Sequence, residues 1–550
     1  MLESSLLEGG RRCVRGRSNR RETQRKRRCV WCRIVGGVAL AVLGGVVFGN
    51  RAVAQDSSFR EQREARLSEL RSLARSNTGA SFEALLEALG DPDGRIADEA
   101  QWLLGGEVLW NFDLLFGRTG LFAKDVGVRR RVAELWGRPM GQEFPSDSFR
   151  QAFKDRDPVV RRYLFWSLSR NPQLTTGDLR TVRTASYEAL ERAKDPLERA
   201  SAVSLIRRVS WSDEGVAAGV EWLEGALGDR DYRVRAAAVG ELENWETDLD
   251  DPVGLAAEFL TDKHPAVRRA AQVELMEIGT PLAMQRLLGA LGECEDQVER
   301  WWLLDALKRA SGVDLGTEFE DWEGWLGRLP ASWKAKTQRV PSRRVPQLTE
   351  PANLRPRDPA LEAALTDLAG VPIQSHSLAL LIDRALLDRE LPGGTGTVGA
   401  WLREELAATL AELPQGIELQ VIAFGEGVEP WKRRPASLGN GTPGKLMKWF
   451  DKLGGAERSD LWGAIDLALE ADELDTLIAI TDGSPTAGSH QKQELAALLL
   501  EERNRFRHVA MQFLLIDPDS TARRVWERFA WRQRGFCVDY NSAELVEARR

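Results

Sequence analysis

Residues 157–168 read DPVVRRYLFWSL, and this stretch decides the fold of the first half of the chain. An Asp opens it, a Pro follows, an Arg stands four residues after the Asp, and an apolar run comes next. Asp is a good helix N-cap and Pro is harmless at the first helical position, so a helix is predicted from Pro158. The pattern returns as DGRIADEAQWLL from Asp93, DVGVRRRVAELW from Asp125 and DPLERASAVSLI from Asp195. It continues as DYRVRAAAVGEL from Asp231, HPAVRRAAQVEL from His264 and EDQVERWWLLDAL from Glu295, with copies 31 to 38 residues apart. Before most copies lies a second apolar helical stretch, such as FEALLEALG or MQRLLGALG. Helix, tight turn, helix at this period predicts an α-solenoid, because each pair buries its apolar face only against its neighbours.

The recurring Arg129, Arg161, Arg199, Arg235 and Arg268 are expected to form a ladder of Asp–Arg contacts between adjacent repeats. Ala97 and Glu299 break the pattern, and His264 and Glu295 stand in the Asp slot. Trp102, Trp110, Trp136, Trp166, Trp222, Trp245, Trp301 and Trp302 fall in or beside the helical stretches and are read as packing. Residues 319–329 close the array with an amphipathic helix. Over roughly residues 60–312 the pattern resembles HEAT repeats, of the short kind also found in bilin-lyase-like proteins. The resemblance implies a scaffold that holds other proteins. No cysteine or histidine constellation supports a lyase.

The stretch 330–359 holds six prolines, a density that no helix or central strand tolerates, so residues 330–372 are read as a linker. Beyond it the rhythm changes. SLALLID (377–383), IELQVIAFG (417–425), DTLIAITDG (475–483), VAMQFLLID (509–517) and GFCVDY (535–540) are strand-length apolar runs separated by amphipathic helices. That alternation predicts a parallel, doubly wound α/β sheet covered on both faces, with any ligand at the carboxyl ends of the strands.

Two of those strand ends carry aspartate, Asp383 and Asp482. DTLIAITDGSPTAG, ERSDLWGAIDLAL and LQVIAFGEGV together resemble a von Willebrand factor A domain over roughly residues 373–542. The resemblance implies a Rossmann-like fold and a divalent ion, usually Mg2+, above the sheet. Carried over residue by residue, its ligands would be Asp383, Ser459 and Asp482. The two serine slots of the first loop hold Ala385 and Leu387 instead, so the expectation is a degenerate remnant without a cofactor. Weak Mg2+ binding is the alternative. Ser459 and Asp460 also read as helix N-caps, and Asp482-Gly483 as a turn. His376, His490 and His508 read as lone structural histidines, with His490 able to approach the strand ends because it follows the Asp482 loop.

The first 54 residues carry twelve Lys/Arg and three Asp/Glu, followed by an apolar run Ile34–Gly49 and Ala52-Val53-Ala54. This reads as a secretory signal peptide, with an uncleaved membrane anchor as the rival. The whole chain has a net charge of −7, so the portion beyond residue 54 is more acidic still and a poor match for nucleic acid. Cys294 and Cys537 are read as separate free thiols, with pairing after export as the alternative. The sequence thus predicts four segments: a signal peptide (1–54), a HEAT-like solenoid (55–329), a linker (330–372) and a von Willebrand A-like domain (373–550). Its expected role is an exported, non-enzymatic interaction protein, in periplasm, envelope or secreted. It would bind an unknown protein through the solenoid groove and the strand-end face. A hydrolase or lyase in that groove, or over Asp383 and Asp482, is the second reading.

Overall fold

Helix pairs stack from residue 79 to residue 326 in the computed structural model, which describes residues 60–106, 111–135, 146–170, 176–210, 213–335 and 366–547. The expected signal peptide, Trp110, Trp136 and residues 336–365 of the expected linker lie outside the described residues. Each repeat motif opens the second helix of its pair: Gly94–Leu104, Val126–Leu135, Pro158–Arg170, Pro196–Val203, Tyr232–Val239, Pro265–Ile278 and Gln297–Ser311. The motif Asp caps that helix. Asp93, Asp195 and Asp231 accept from the amide two residues on, and His264 does the same through Nδ1 at 3.2 Å. A ring nitrogen with a free lone pair satisfies an orphan amide as a carboxylate does, which explains the histidine in that slot.

The last repeat is corrected by one residue. Asp296, not Glu295, is the N-cap, accepting from Glu299 N at 2.9 Å. The Arg four residues on is therefore Arg300, and the motif is intact there.

The ladder is present, with acceptors other than the capping carboxylates. Arg129 meets Asp155 at 2.8 Å, Arg161 meets Glu198 at 2.6 Å, Arg199 meets Asp229 at 3.2 Å and Arg235 meets Asp262 at 2.8 Å. Arg268 continues the series to Glu299. The motif Asp is already spent on its own helix, so a second acid nearby takes the guanidinium. The same arginines turn Nη1 back to a carbonyl six residues earlier: Ala123, Asp155, Ala193, Asp229 and Asp262, with Arg300 doing so to Cys294. Each Arg thus holds its own turn and the next repeat together.

The second domain is a mixed sheet. Its strands are β1 (Thr366–Leu368), β2 (Val371–Ile373), β3 (Ser377–Asp383), β4 (Glu418–Phe424), β5 (Val428–Pro430), β6 (Ala436–Ser437), β7 (Thr476–Thr481), β8 (Ala510–Ile516) and β9 (Cys537–Tyr540). The main sheet runs β5-β4-β3-β7-β8-β9, parallel from β4 through β9, with β5 and β6 antiparallel on β4. Every residue of β3, β7 and β8 is buried, as strands covered by helices on both faces must be.

The expected linker is ordered at both ends. Trp333 packs on Trp325 and the Ala335 amide donates to Gly279 O at 2.8 Å, while β1 and β2 form a hairpin that a proline-rich connector does not predict. Thr366–Ile373 carry no proline except Pro372, and the turn is made by Ala369 and Gly370, both at positive φ.

Helices of the solenoid and of the α/β domain share one apolar core. Leu103, Val132, Leu164 and Leu205 belong to the same buried cluster as Ala464, Leu499, Phe513 and Trp526. Trp301 and Trp302 pack with Ala510 and Phe536 further along. A second row of arginines, adjacent to the ladder row, fixes this contact. Arg162 pairs with Glu502 at 3.2 Å, and Arg269 donates to the carbonyls of Asp475 and His508. Arg534 answers from the other side, reaching Asp305, Gln272 and the Trp302 carbonyl. The helix face bearing Arg131, Arg162 and Arg269 is thus covered by the chain's own α/β domain.

Candidate strand-end site

Asp383 ends β3 and is fully buried. Its Oδ2 accepts from Ser459 Oγ at 2.8 Å and from Thr481 Oγ1 at 2.7 Å, and its Oδ1 accepts from Ala385 N at 2.9 Å. Burial pushes its carboxyl up to about 6, against the pull of those hydrogen bonds. Ser459 sits between the ends of β4 and β7, its carbonyl accepting from Thr486 N at 2.9 Å and Ala487 N at 3.0 Å. Asp482 follows β7. Its Oδ1 accepts from Ser484 N at 2.9 Å, and its Oδ2 faces Arg389 Nη2 at 3.1 Å.

The structure therefore brings Asp383 and Ser459 into direct contact and places Asp482 beside an arginine. The serine slots differ in kind. Leu387 is buried in the apolar cluster with Leu386, Leu391 and Trp401, and offers no oxygen there. Thr481 carries no role in the sequence reading, yet its hydroxyl is one of the two that hold Asp383. A threonine directly before a strand-end aspartate is the signal that marks it.

The loop after Asp482 is gripped by the solenoid. Asp98, in the helix Gly94–Leu104, is fully buried, and its Oδ1 lies 3.1 Å from His490 Nδ1. Its Oδ2 accepts from the Gln491 amide and from Lys492 N at 2.9 Å. Arg131 donates to Asp98 at 2.7 Å, to Gln101 at 2.7 Å and to the Ser489 carbonyl at 2.6 Å. Burial alone would raise the Asp98 carboxyl, but His490 and then Arg131 outweigh it and hold it below the usual range. Close approach is allowed by Gly94, where an added Cβ would meet the Gly488 carbonyl at 2.6 Å. His490 packs edge-on against Trp462 at 4.3 Å, so it is bound into this contact rather than lone. Nothing in DGRIADEAQWLL separates a buried interdomain acid from a solvated one except its place among apolar residues.

His376 stays half exposed beside Asp296 at 3.1 Å, and His508 is kept neutral by burial, pushed down to about 3. Cys294 and Cys537 are free thiols. Among the described residues no group of three metal-ligating side chains lies together, and no helix is long and apolar enough to cross a membrane. Away from the α/β domain, a groove of about 670 Å³ opens beside the long helix Thr176–Arg192, lined by Phe153, Phe165, Lys154, Arg180 and Arg192.

Residues 219–308 match the family model for HEAT repeats. Among solved structures the chain is similar to a von Willebrand factor type A protein from Catenulispora acidiphila, 12% identical over 32% of this chain, with a TM-score of 0.25. It spans 42% of that protein's length. It is also similar to the SpRpn10 VWA domain, at 13% identity over 31% of this chain and 94% of that one, with a TM-score of 0.24. The Deinococcus radiodurans RO (RSR) protein is 16% identical over 86% of this chain and 92% of its own, with a TM-score of 0.19. No curated protein sequence matches the chain. The chain is a multidomain protein, in which a helical region that matches HEAT repeats over residues 219–308 is followed by a mixed α/β domain.

Proposed function

We propose that this chain is an exported, non-enzymatic scaffold that recognises a protein partner through the surfaces its two domains leave open. Those surfaces are the strand-end face of the α/β domain and the outer helices around Thr176–Arg192. The observation that carries the reading is the use made of the titratable groups. Asp383 is locked by Ser459 and Thr481, Asp98 holds His490, and Arg389 holds Asp482, so the acids and the histidine at the strand ends serve internal contacts. A general acid or base must reach a substrate proton, and these groups face one another instead. Export rests on the basic, apolar and Ala-x-Ala segments of residues 1–54, and the periplasm, envelope or exterior all satisfy it.

Site-specific photo-crosslinking tests the reading. A crosslinker placed at Thr184 or at Arg384, in the full chain expressed in its own cell, should trap discrete protein partners, whereas one at buried Leu223 should trap none. Mass spectrometry of the same material should find a chain beginning at Gln55. Turnover of ester, peptide or thioether substrates that Asp383→Asn abolishes would instead establish the hydrolase or lyase.

A further inference from the structure

A divalent ion at these strand ends needs several oxygens converging in near-octahedral geometry. The residues present do not fit that demand. Ala385 and Leu387 supply no side-chain oxygen, Asp383 has both oxygens engaged, and Asp482 already faces a guanidinium. Arg389 also lies 3.4 Å from Asp517 Oδ2 and 3.3 Å from the Ile516 carbonyl, through Nη1. Asp482 follows β7 and Asp517 follows β8, so one planar fork bridges the ends of two adjacent strands.

We propose that the guanidinium of Arg389 is the resident cation of the strand-end face, and that this face works without a metal ion. The backbone prepares it for the task. Arg389 N donates to Leu386 O at 3.1 Å and Arg389 O accepts from Val398 N at 2.9 Å, pinning the loop from which the side chain reaches. Asp517 is fixed in turn: it has φ of 51°, its amide donates to Tyr540 O at 2.8 Å, and its Oδ1 accepts from Ser542 N at 2.8 Å. Arg is always charged and its fork matches two acceptors at once, so the positive charge is permanent where a bound ion would be conditional. The burial of Leu387 is consistent with this, because a loop without a metal to face can turn that side chain into the core. The inference uses the Arg389–Asp482 contact that the proposed function also draws on, yet partner binding can hold whether or not the cation is an arginine.

The test uses the full chain in two measurements. Isothermal titration with Mg2+ and then Mn2+ should give no binding heat in the wild type up to millimolar metal. Thermal unfolding should show Arg389→Gln lowered by about 2 °C or more, Arg389→Lys intermediate, and Arg389→Gln nearly silent in an Asp482→Asn, Asp517→Asn background. Both partners are partly exposed, so these variants should fold. Metal binding by the wild type that Asp482→Ala abolishes would overturn the proposal. So would an Arg389→Gln loss of equal size with and without the two aspartates.

Discussion

Asp98 and His490 are 392 residues apart in sequence and 3.1 Å apart in the fold, between Oδ1 and Nδ1. Through this contact a repeat helix sets the conformation of the loop that follows Asp482. The strand-end face is therefore shaped from two domains at once.

Replacing that acid tests the coupling. Asp98→Asn removes a buried carboxylate that faces Arg131, His490 and two backbone amides, and should destabilise the full chain by about 3 kcal/mol at pH 7. The folded carboxyl is held below its unfolded value of about 3.9, so its stabilisation is present above that pH and lost as pH falls through the folded value. Urea unfolding should show the gap between wild type and variant full at pH 7 and shrinking below about pH 4. A gap independent of pH would mean that packing, not charge, holds the loop.

The ladder arginines should tolerate lysine poorly. Arg235 Nε and Nη2 both bond Asp262, at 2.9 and 2.8 Å, while Nη1 caps the Asp229 and Arg230 carbonyls. A lysine can replace the charge but not the fork. Arg235→Lys should cost about 1–2 kcal/mol and Arg235→Ala about 2–3 kcal/mol, read by chemical denaturation. Equal costs would show that charge contributes nothing there.

The repeat architecture was legible because its signals are local: an N-cap Asp, a Pro at the first helical position and an Arg one turn on all act within a few residues. The five principal strands were legible for the same reason, as apolar runs of strand length. What stayed hidden was non-local. Arg162 and Arg269 stand next to ladder arginines and Arg131 two residues after one, and they look the same in sequence, yet they turn toward another domain. Arg389 looked like one charge in a charged loop, and only the convergence of β7 and β8 gives it partners. The strands β5 and β6 and the hairpin of β1 and β2 are two or three residues long, too short for any period to show.

A buried carboxylate group in the solenoid gives a pH effect of opposite sign. Burial pushes Glu241 up to about 7 and Glu274 well above the ordinary carboxylate range, with Glu277 also raised. A raised folded value gives stability that is full below the unfolded value of about 4.3 and is lost as pH rises toward and through the folded one. Glu274 accepts from the Glu243 amide, an interaction that a glutamine carbonyl keeps. Glu274→Gln should therefore raise stability at pH 8 by about 1–2 kcal/mol and change little at pH 4, checked by denaturant midpoints at both. A larger gain at pH 4 than at pH 8 would contradict the assignment.

The second interdomain clamp centres on Trp302. Arg269 stands 4.0 Å from the indole and Arg534 5.0 Å from it, and Arg534 Nη2 also donates to the Trp302 carbonyl at 2.7 Å. Two buried guanidinium groups beside one indole repel each other, and burial already lowers Arg534 to about 10. The ring's negative face and Asp305, 3.1 Å from Arg534 Nε, offset that repulsion. Trp302→Leu keeps an apolar side chain but removes the ring, and should cost about 3 kcal/mol. If the ring acts on the guanidinium, Arg534→Met should cost at least about 1 kcal/mol less in the Trp302→Leu background than in the wild type. Simple additivity would reduce the Trp302 ring to a space-filling group and leave the clamp to Asp305, Gln272 and the Trp302 carbonyl.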